Sequence, residues 1–175
     1  MSKFIAPFLV STALLFGAAT APAFAAQSDA DVIREARDRA EIEKLLWDYA
    51  RALDTGNADA YAATYTADGA FGATKGTEAL KKMVNDLNKS RDERKAKGEE
   101  VWGTLHMTTN HWIEFTGKDS AKVHNYWLTA FVAPPTAPGA KRPEPRVPFT
   151  GRGVDDLVKV NGKWLIKFRN TAPKD

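Results

Sequence analysis

The chain has 175 residues, 43% hydrophobic and 27% charged, with a net charge of +3 and no cysteine. So small a charge excess predicts no strong pull toward nucleic acid or anionic membrane surfaces, and the lack of cysteine excludes thiol catalysis, thiolate-held metal and disulfide staples. A chain of this length suits one domain able to bury about two-thirds of its unfolded surface.

The first 25 residues, "MSKFIAPFLVSTALLFGAATAPAFA", join one cation, Lys3, to an apolar run and then to the small-x-small triplet Ala23-Phe24-Ala25. This reads as a cleaved secretory signal. A membrane anchor fits less well, because Pro7, Ser11 and Thr12 interrupt a run already short of the ~20 apolar residues a spanning helix needs. The expectation is an exported protein, periplasmic or secreted, with no stable membrane insertion after cleavage. The folded domain would then cover 26–175, and losing Lys3 lowers its net charge to +2.

Within that domain Ile42, Leu45, Leu46, Tyr49 and Leu53 recur at three- and four-residue steps, which predicts an amphipathic helix over 31–54. Gly56 can end it, and Asn57 can cap a second helix over 58–65. "ADGAFGA", around Phe71, suits a short strand or turn. A third helix is expected over 77–89, with Leu80, Met83, Val84 and Leu87 on one stripe. The following "NKSRDERKAKGEE" alternates in charge sign and reads as a solvated helix end and loop, with no nucleic-acid role.

From Val101 the pattern changes to strands. "HMTTNHWIEF" and "SAKVHNYWLTAFV" flank the turn signal "TGKD". "APPTAPGAKRPEPRVPF" holds six of the nine prolines and reads as a stiffened loop, excluded from a central strand. "VDDLVKVNGKWLIKF" closes the domain around Asn161-Gly162, a strong hairpin signal. Helices first and antiparallel strands after them predict an α+β domain, with the helices on one face of a curved sheet.

A two-residue turn in the last hairpin would set Leu157 opposite Ile166, Asp155 opposite Phe168 and Asp156 opposite Lys167. Trp164, Ile166, Phe168, Gly153 and Asp155 would then share one face, so Asp155 should point inward.

Proton transfer near neutral pH falls to three histidines, His106, His111 and His124, and to perturbed carboxylates. Strand alternation puts His106 with Thr108, Asn110 and Trp112, and His111 with Met107, Ile113 and Phe115; a bulge would swap the faces. Asp54 is placed oddly. It falls on the last turn of the first helix, where the macrodipole disfavours negative charge. Two uses are open to it: bonding backbone N–H groups in the turn at Thr55-Gly56, or facing a histidine. Neither H-x-x-x-H nor H-E-x-x-H occurs, nor a Gly-rich phosphate loop, nor G-x-S-x-G, so no metal and no cofactor is expected.

In order, "AEIEKLLWDYARALDTGNADAYAATYTADGAF", "GTEALKKMV", "LHMTTNHWIEF" and "GRGVDDLVKVNGKWLIKF" resemble the SnoaL-like branch of the nuclear transport factor 2-like superfamily. The resemblance implies a cone-shaped α+β barrel: three N-terminal helices packed on a strongly curved antiparallel sheet, an apolar pocket between them, and dimerisation through the sheet. Scytalone dehydratase and lindane dehydrochlorinase, enzymes of that superfamily, remove a proton with an Asp–His pair. Their motif is similar to Leu53-Asp54 and "TLHMTTNHWIEF" here, which implies His106 as general base and Asp54 as its orienting partner. Asn125 stands where scytalone dehydratase carries a second pocket histidine, and Gly153 would open the pocket.

The leading expectation is therefore a cofactor-free lyase or isomerase acting on a small apolar molecule, with His106 and Asp54 as catalytic residues and Tyr49, Phe71, Asn125, Trp127 and Asp155 lining the cavity. Two alternatives share the fold: a non-catalytic carrier using the same pocket, and a homodimerisation or docking module using the sheet face of Leu128, Val158 and Leu165.

Overall fold

The computed structural model describes residues 28–134, 139–141 and 143–173; the signal expected over 1–25 lies outside them. Helix α1 spans Asp29–Asp54. Ser28 caps it by accepting the Asp31 N–H, and Asp29 and Asp31 place negative charge at its positive end. The stripe of Ile42, Leu45, Leu46, Tyr49 and Leu53 is buried, as the spacing predicts. Only glycine fits the turn that follows: Gly56 has φ +68°, and a Cβ there would collide with the Asn88 carboxamide. Asn88 Nδ2 instead donates to the Gly56 carbonyl at 2.8 Å.

Asn57 caps α2 (Ala58–Ala62), which is shorter than expected because Tyr65 already belongs to a strand. Strands β1 (Tyr65–Phe71) and β2 (Thr74–Lys75) lead into α3, Thr77–Ala96. That helix runs beyond the expected end at residue 89. The charged segment continues it through Lys89–Glu93 and Lys95–Asp92 pairs, where spaced charges of opposite sign support a helix on its own surface.

Four long strands complete the fold: β3 (Gly103–Gly117), β4 (Ser120–Val132), β5 (Arg146–Val160) and β6 (Lys163–Asn170). The six strands described form one curved, unclosed sheet in the order β2-β1-β6-β5-β4-β3. Neighbours are antiparallel except β1 and β6, which run parallel. The helices pack on the concave face, and Ile42, Leu45, Leu80, Val84, Val123, Leu157, Trp164 and Ile166 form the core between the layers. This is the α+β cone that the sequence implies.

Three local details differ from expectation. Pro148 lies inside β5, not in a loop. The pairing of β4 with β5 shifts register just there, between Phe131–Arg146 and Thr129–Phe149, and β6 ends before reaching that stretch, so no ladder bond is lost to the missing N–H. In β3 the register also shifts between Thr109 and Trp112, at Asn110 with φ 52°. This swaps the faces: His106 and Thr108 keep the inner side, Ile113 joins them, and Trp112 turns outward to stack on His124 at 4.7 Å.

The last hairpin turns at Asn161-Gly162 and pairs Leu157 with Ile166, as expected. Beyond that a bulge places Phe168 opposite Asp156 and Arg169 opposite Asp155. Lys167 therefore reaches Asp68, and Asp156 pairs with Lys122 instead.

One buried acid ties α1 to this hairpin. Asp38 accepts the Trp164 Nε1–H at 2.9 Å and pairs with Lys159. Burial works to raise its pKa, but the Lys159 and Trp164 hydrogen bonds prevail and hold it below the usual carboxylate range. A depressed folded-state pKa gives stability that is fully present above the unfolded value near 4 and is lost as pH falls through the folded one. Asp38→Ala should lower stability by ~3 kcal/mol at pH 7 and flatten the acid limb of the stability curve, measured by denaturant unfolding from pH 7 to 3. An unchanged acid limb would contradict this role.

Candidate active site

Asp54 ends α1 and points across the gap to β3. Its Oδ1 lies 2.6 Å from His106 Nδ1, and its two oxygens accept the His106 backbone N–H at 3.0 and 3.2 Å. Of the two uses open to it, Asp54 therefore takes the histidine; the turn at Thr55-Gly56 is closed by backbone bonds to Arg51 and Leu53 carbonyls. The cost of a carboxylate at a helix C-terminus is ~0.3–1 kcal/mol, less than hydrogen bonds to a charged acceptor return. The Asp54 side chain is 11% exposed and that of His106 26%, so the pair is sheltered with one ring edge still reachable.

His106 lines two cavities. The inner one, of about 130 Å³, is walled by Tyr49, Leu53, Phe71, Thr108, Trp127 and Arg169 among others. The outer one, of about 640 Å³, opens between the end of α3 and the far ends of β4 and β5, and shares Thr129 as well as His106 with the inner one. Tyr49, Phe71 and Trp127 thus stand with His106. Trp127 is fixed by donating its Nε1–H to the carbonyls of Arg152 and Thr171, at 3.1 and 3.0 Å.

Asn125 and Asp155 do not line that inner cavity but support it from behind. Asp155 is 0% exposed and faces inward, as its register suggests. Its Oδ2 accepts from Arg169 Nη1 at 2.7 Å and from Asn125 Nδ2 at 3.3 Å. Burial outweighs the pull of Arg169 and the Asn125 hydrogen bond, so the Asp155 carboxyl is raised to about 6. The space left by Gly153 is taken by the Asn125 carboxamide, whose Oδ1 would lie 2.7 Å from a Cβ there.

Arg169 is the site residue that sequence reasoning missed. It is 3% exposed, its guanidinium carbon sits 4.2 Å from the Tyr49 ring centroid, and Nη2 reaches Thr108 Oγ1 at 3.5 Å. Tyr49 packs in turn on Tyr61 and Tyr65, whose hydroxyls are 3.1 Å apart. Burial raises all three phenol pKa values, so these side chains stay neutral beside the cation. Among the described residues, Asn125 Oδ1, Asp155 Oδ1 and Arg169 Nε are buried without a hydrogen-bond partner. The sequence signal was an arginine in an apolar strand facing an inward acid, hidden by the bulge.

His111 and His124 lie outside this cluster; His124 Nε2 is 3.3 Å from Glu114 on the outer sheet face. Among the described residues no group of three or more potential metal ligands gathers, and no helix is long and apolar enough to cross a membrane.

The buried pair gives a direct stability test. Asp155→Ala strands the Arg169 charge in the core and should cost ~3–5 kcal/mol, lowering the melting temperature by about 10 °C in calorimetry. A shift of about 2 °C or less would show that the pair is not what holds this layer.

Solved structures share the architecture. ActVI-ORFA from Streptomyces coelicolor superposes with a TM-score of 0.64 at 20% identity, over 78% of this chain and 95% of that one. A protein of unknown function from Mycobacterium tuberculosis gives 0.63 at 22% identity, over 82% and 75%. A scytalone dehydratase-like protein from Novosphingobium aromaticivorans gives 0.60 at 22% identity, over 82% and 93%. At these identities the likeness is one of fold. No curated protein matches the chain. The family model of the SnoaL-like domain matches residues 34–170, so nearly the whole described domain fits it, and the chain belongs to the SnoaL-like domain family.

Proposed function

We propose that this protein is an exported, cofactor-free lyase or isomerase in which His106 takes a proton from carbon. The observation that carries the reading is the 2.6 Å contact of Asp54 Oδ1 with His106 Nδ1, on a ring that lines both cavities. A carboxylate at Nδ1 favours the tautomer with its proton there, leaving Nε2 as the base and stabilising the imidazolium that forms. The name of the scytalone dehydratase-like neighbour, an eliminating enzyme, points the same way at the level of analogy.

In an elimination, the C–H pair would form the new C=C bond as the leaving group departs from the adjacent carbon with its own electron pair. The proton held on Nε2 would then go to that leaving group. In an isomerisation, the same proton would return at a different carbon. Arg169, buried in the cavity wall, supplies fixed positive charge where negative charge develops on the substrate. Tyr49, Phe71 and Trp127 give the reacting portion of the substrate a mostly apolar seat.

The test is a panel of small carbonyl compounds, with and without a β-leaving group, followed by NMR for elimination and for solvent deuterium entering the acidic C–H position. Wild type should exchange or eliminate at least one of them. His106→Ala should lose about 10²- to 10⁴-fold in rate, and Asp54→Asn about 10-fold or more, with folding intact by circular dichroism. Equal rates in wild type and His106→Ala would remove the base. No reaction with any compound would favour the carrier reading.

A further inference from the structure

The outer cavity has chemistry that a purely apolar substrate would leave unused. Arg91, Arg94 and Arg146 line it, against a single glutamate, Glu100. Arg94 is already paired, through Nε, with Glu99 at 2.8 Å. Arg91 and Arg146 pair with no carboxylate among the described residues. Each is nonetheless held in place: Arg91 Nη2 donates to Thr104 Oγ1 at 2.9 Å, and the Arg146 guanidinium sits 4.7 Å from the Trp102 ring centroid. Two guanidinium groups lining one cleft, neither paired with a carboxylate among the described residues, are a ready seat for an anion.

The rest of the lining suits a flat apolar body. Phe149 meets Phe131 edge-on at 6.1 Å yet remains 57% exposed, and Leu87 beside them is 46% exposed. A volume of about 640 Å³ falls in the range of small-molecule sites, whereas the inner cavity of about 130 Å³ holds only a fragment. His106 and Thr129 border both spaces, so a molecule filling the outer cleft extends its end to the imidazole.

We infer that the outer cleft binds the anionic, aromatic portion of the substrate: a carboxylate-bearing aromatic molecule whose charged group rests on Arg91 and Arg146 while its reactive carbon reaches His106. The substrate is thus amphiphilic, not wholly apolar. The inference takes from the proposed function only the place of reaction, and the binding itself stands without it.

The experiment compares 2-naphthoate with its neutral isostere 2-naphthamide, by calorimetric titration of the full domain and by NMR shifts of the Trp102 indole N–H. Naphthoate should bind about tenfold tighter than the amide and shift the Trp102 signal. Arg91→Gln/Arg146→Gln should close that gap, and Arg91→Lys/Arg146→Lys should retain part of it, which separates charge from folding. Equal affinity of the two probes for wild type, failure of naphthoate to bind, or a gap that survives the Gln pair overturns the inference. His106→Ala tells the two readings apart: whatever the truncated wall costs in absolute affinity, the roughly tenfold preference for naphthoate over naphthamide is expected to persist even though proton abstraction is lost, because the anion contacts lie elsewhere. Retained turnover in that variant sinks the base and leaves the cleft standing.

Discussion

The Asp54 carboxylate is caught between two elements that each supply part of its surroundings. Helix α1 presents it at an electrostatically poor position, and β3 answers with a backbone N–H and a ring nitrogen from one residue, His106. Because one residue supplies both contacts, the carboxylate holds the strand as well as the imidazole. The gap between α1 and the sheet is thereby set at the point where the inner and outer cavities meet. One acid thus joins the end of α1 to the wall shared by both cavities.

A second constraint lies behind the first. Arg169 and Asp155 are both almost fully buried, and removing two charges from water costs several kcal/mol each before their attraction is counted. The fold meets that cost with a 2.7 Å ion pair, an Asn125 amide and the Tyr49 ring face. Three buried polar atoms still have no partner among the described residues, so this layer has spare hydrogen-bonding capacity. An arrangement so costly to bury is weak as a stability device. What the pair does hold is a guanidinium in the wall of the inner cavity that His106 also lines.

Much of this was legible in the sequence where the signal is local. The α1 stripe, the Asn57 cap and the Asn161-Gly162 turn each rest on neighbouring residues, and each formed as its chemistry dictates. Asp54 stood out because it violated a local rule, and resemblance supplied the histidine. Features set by register were not legible. The β6 bulge that brings Arg169 opposite Asp155, and the left-handed Asn110 that turns Trp112 outward, are one-residue offsets fixed by packing across the sheet. The outer cleft was hidden as well: it needs α3 to continue past residue 89, through alternating charges that also suit a loop, and β5 to begin at Arg146, which depends on pairing with β4.

The central claim concerns which imidazole nitrogen is bare. Long-range proton–nitrogen NMR correlations of the His106 ring, recorded at a pH where the ring is neutral, read this without any knowledge of the substrate. The account requires the proton on Nδ1, facing Asp54, with Nε2 unprotonated. A ring protonated on Nε2, or one exchanging evenly between the two tautomers, would contradict it.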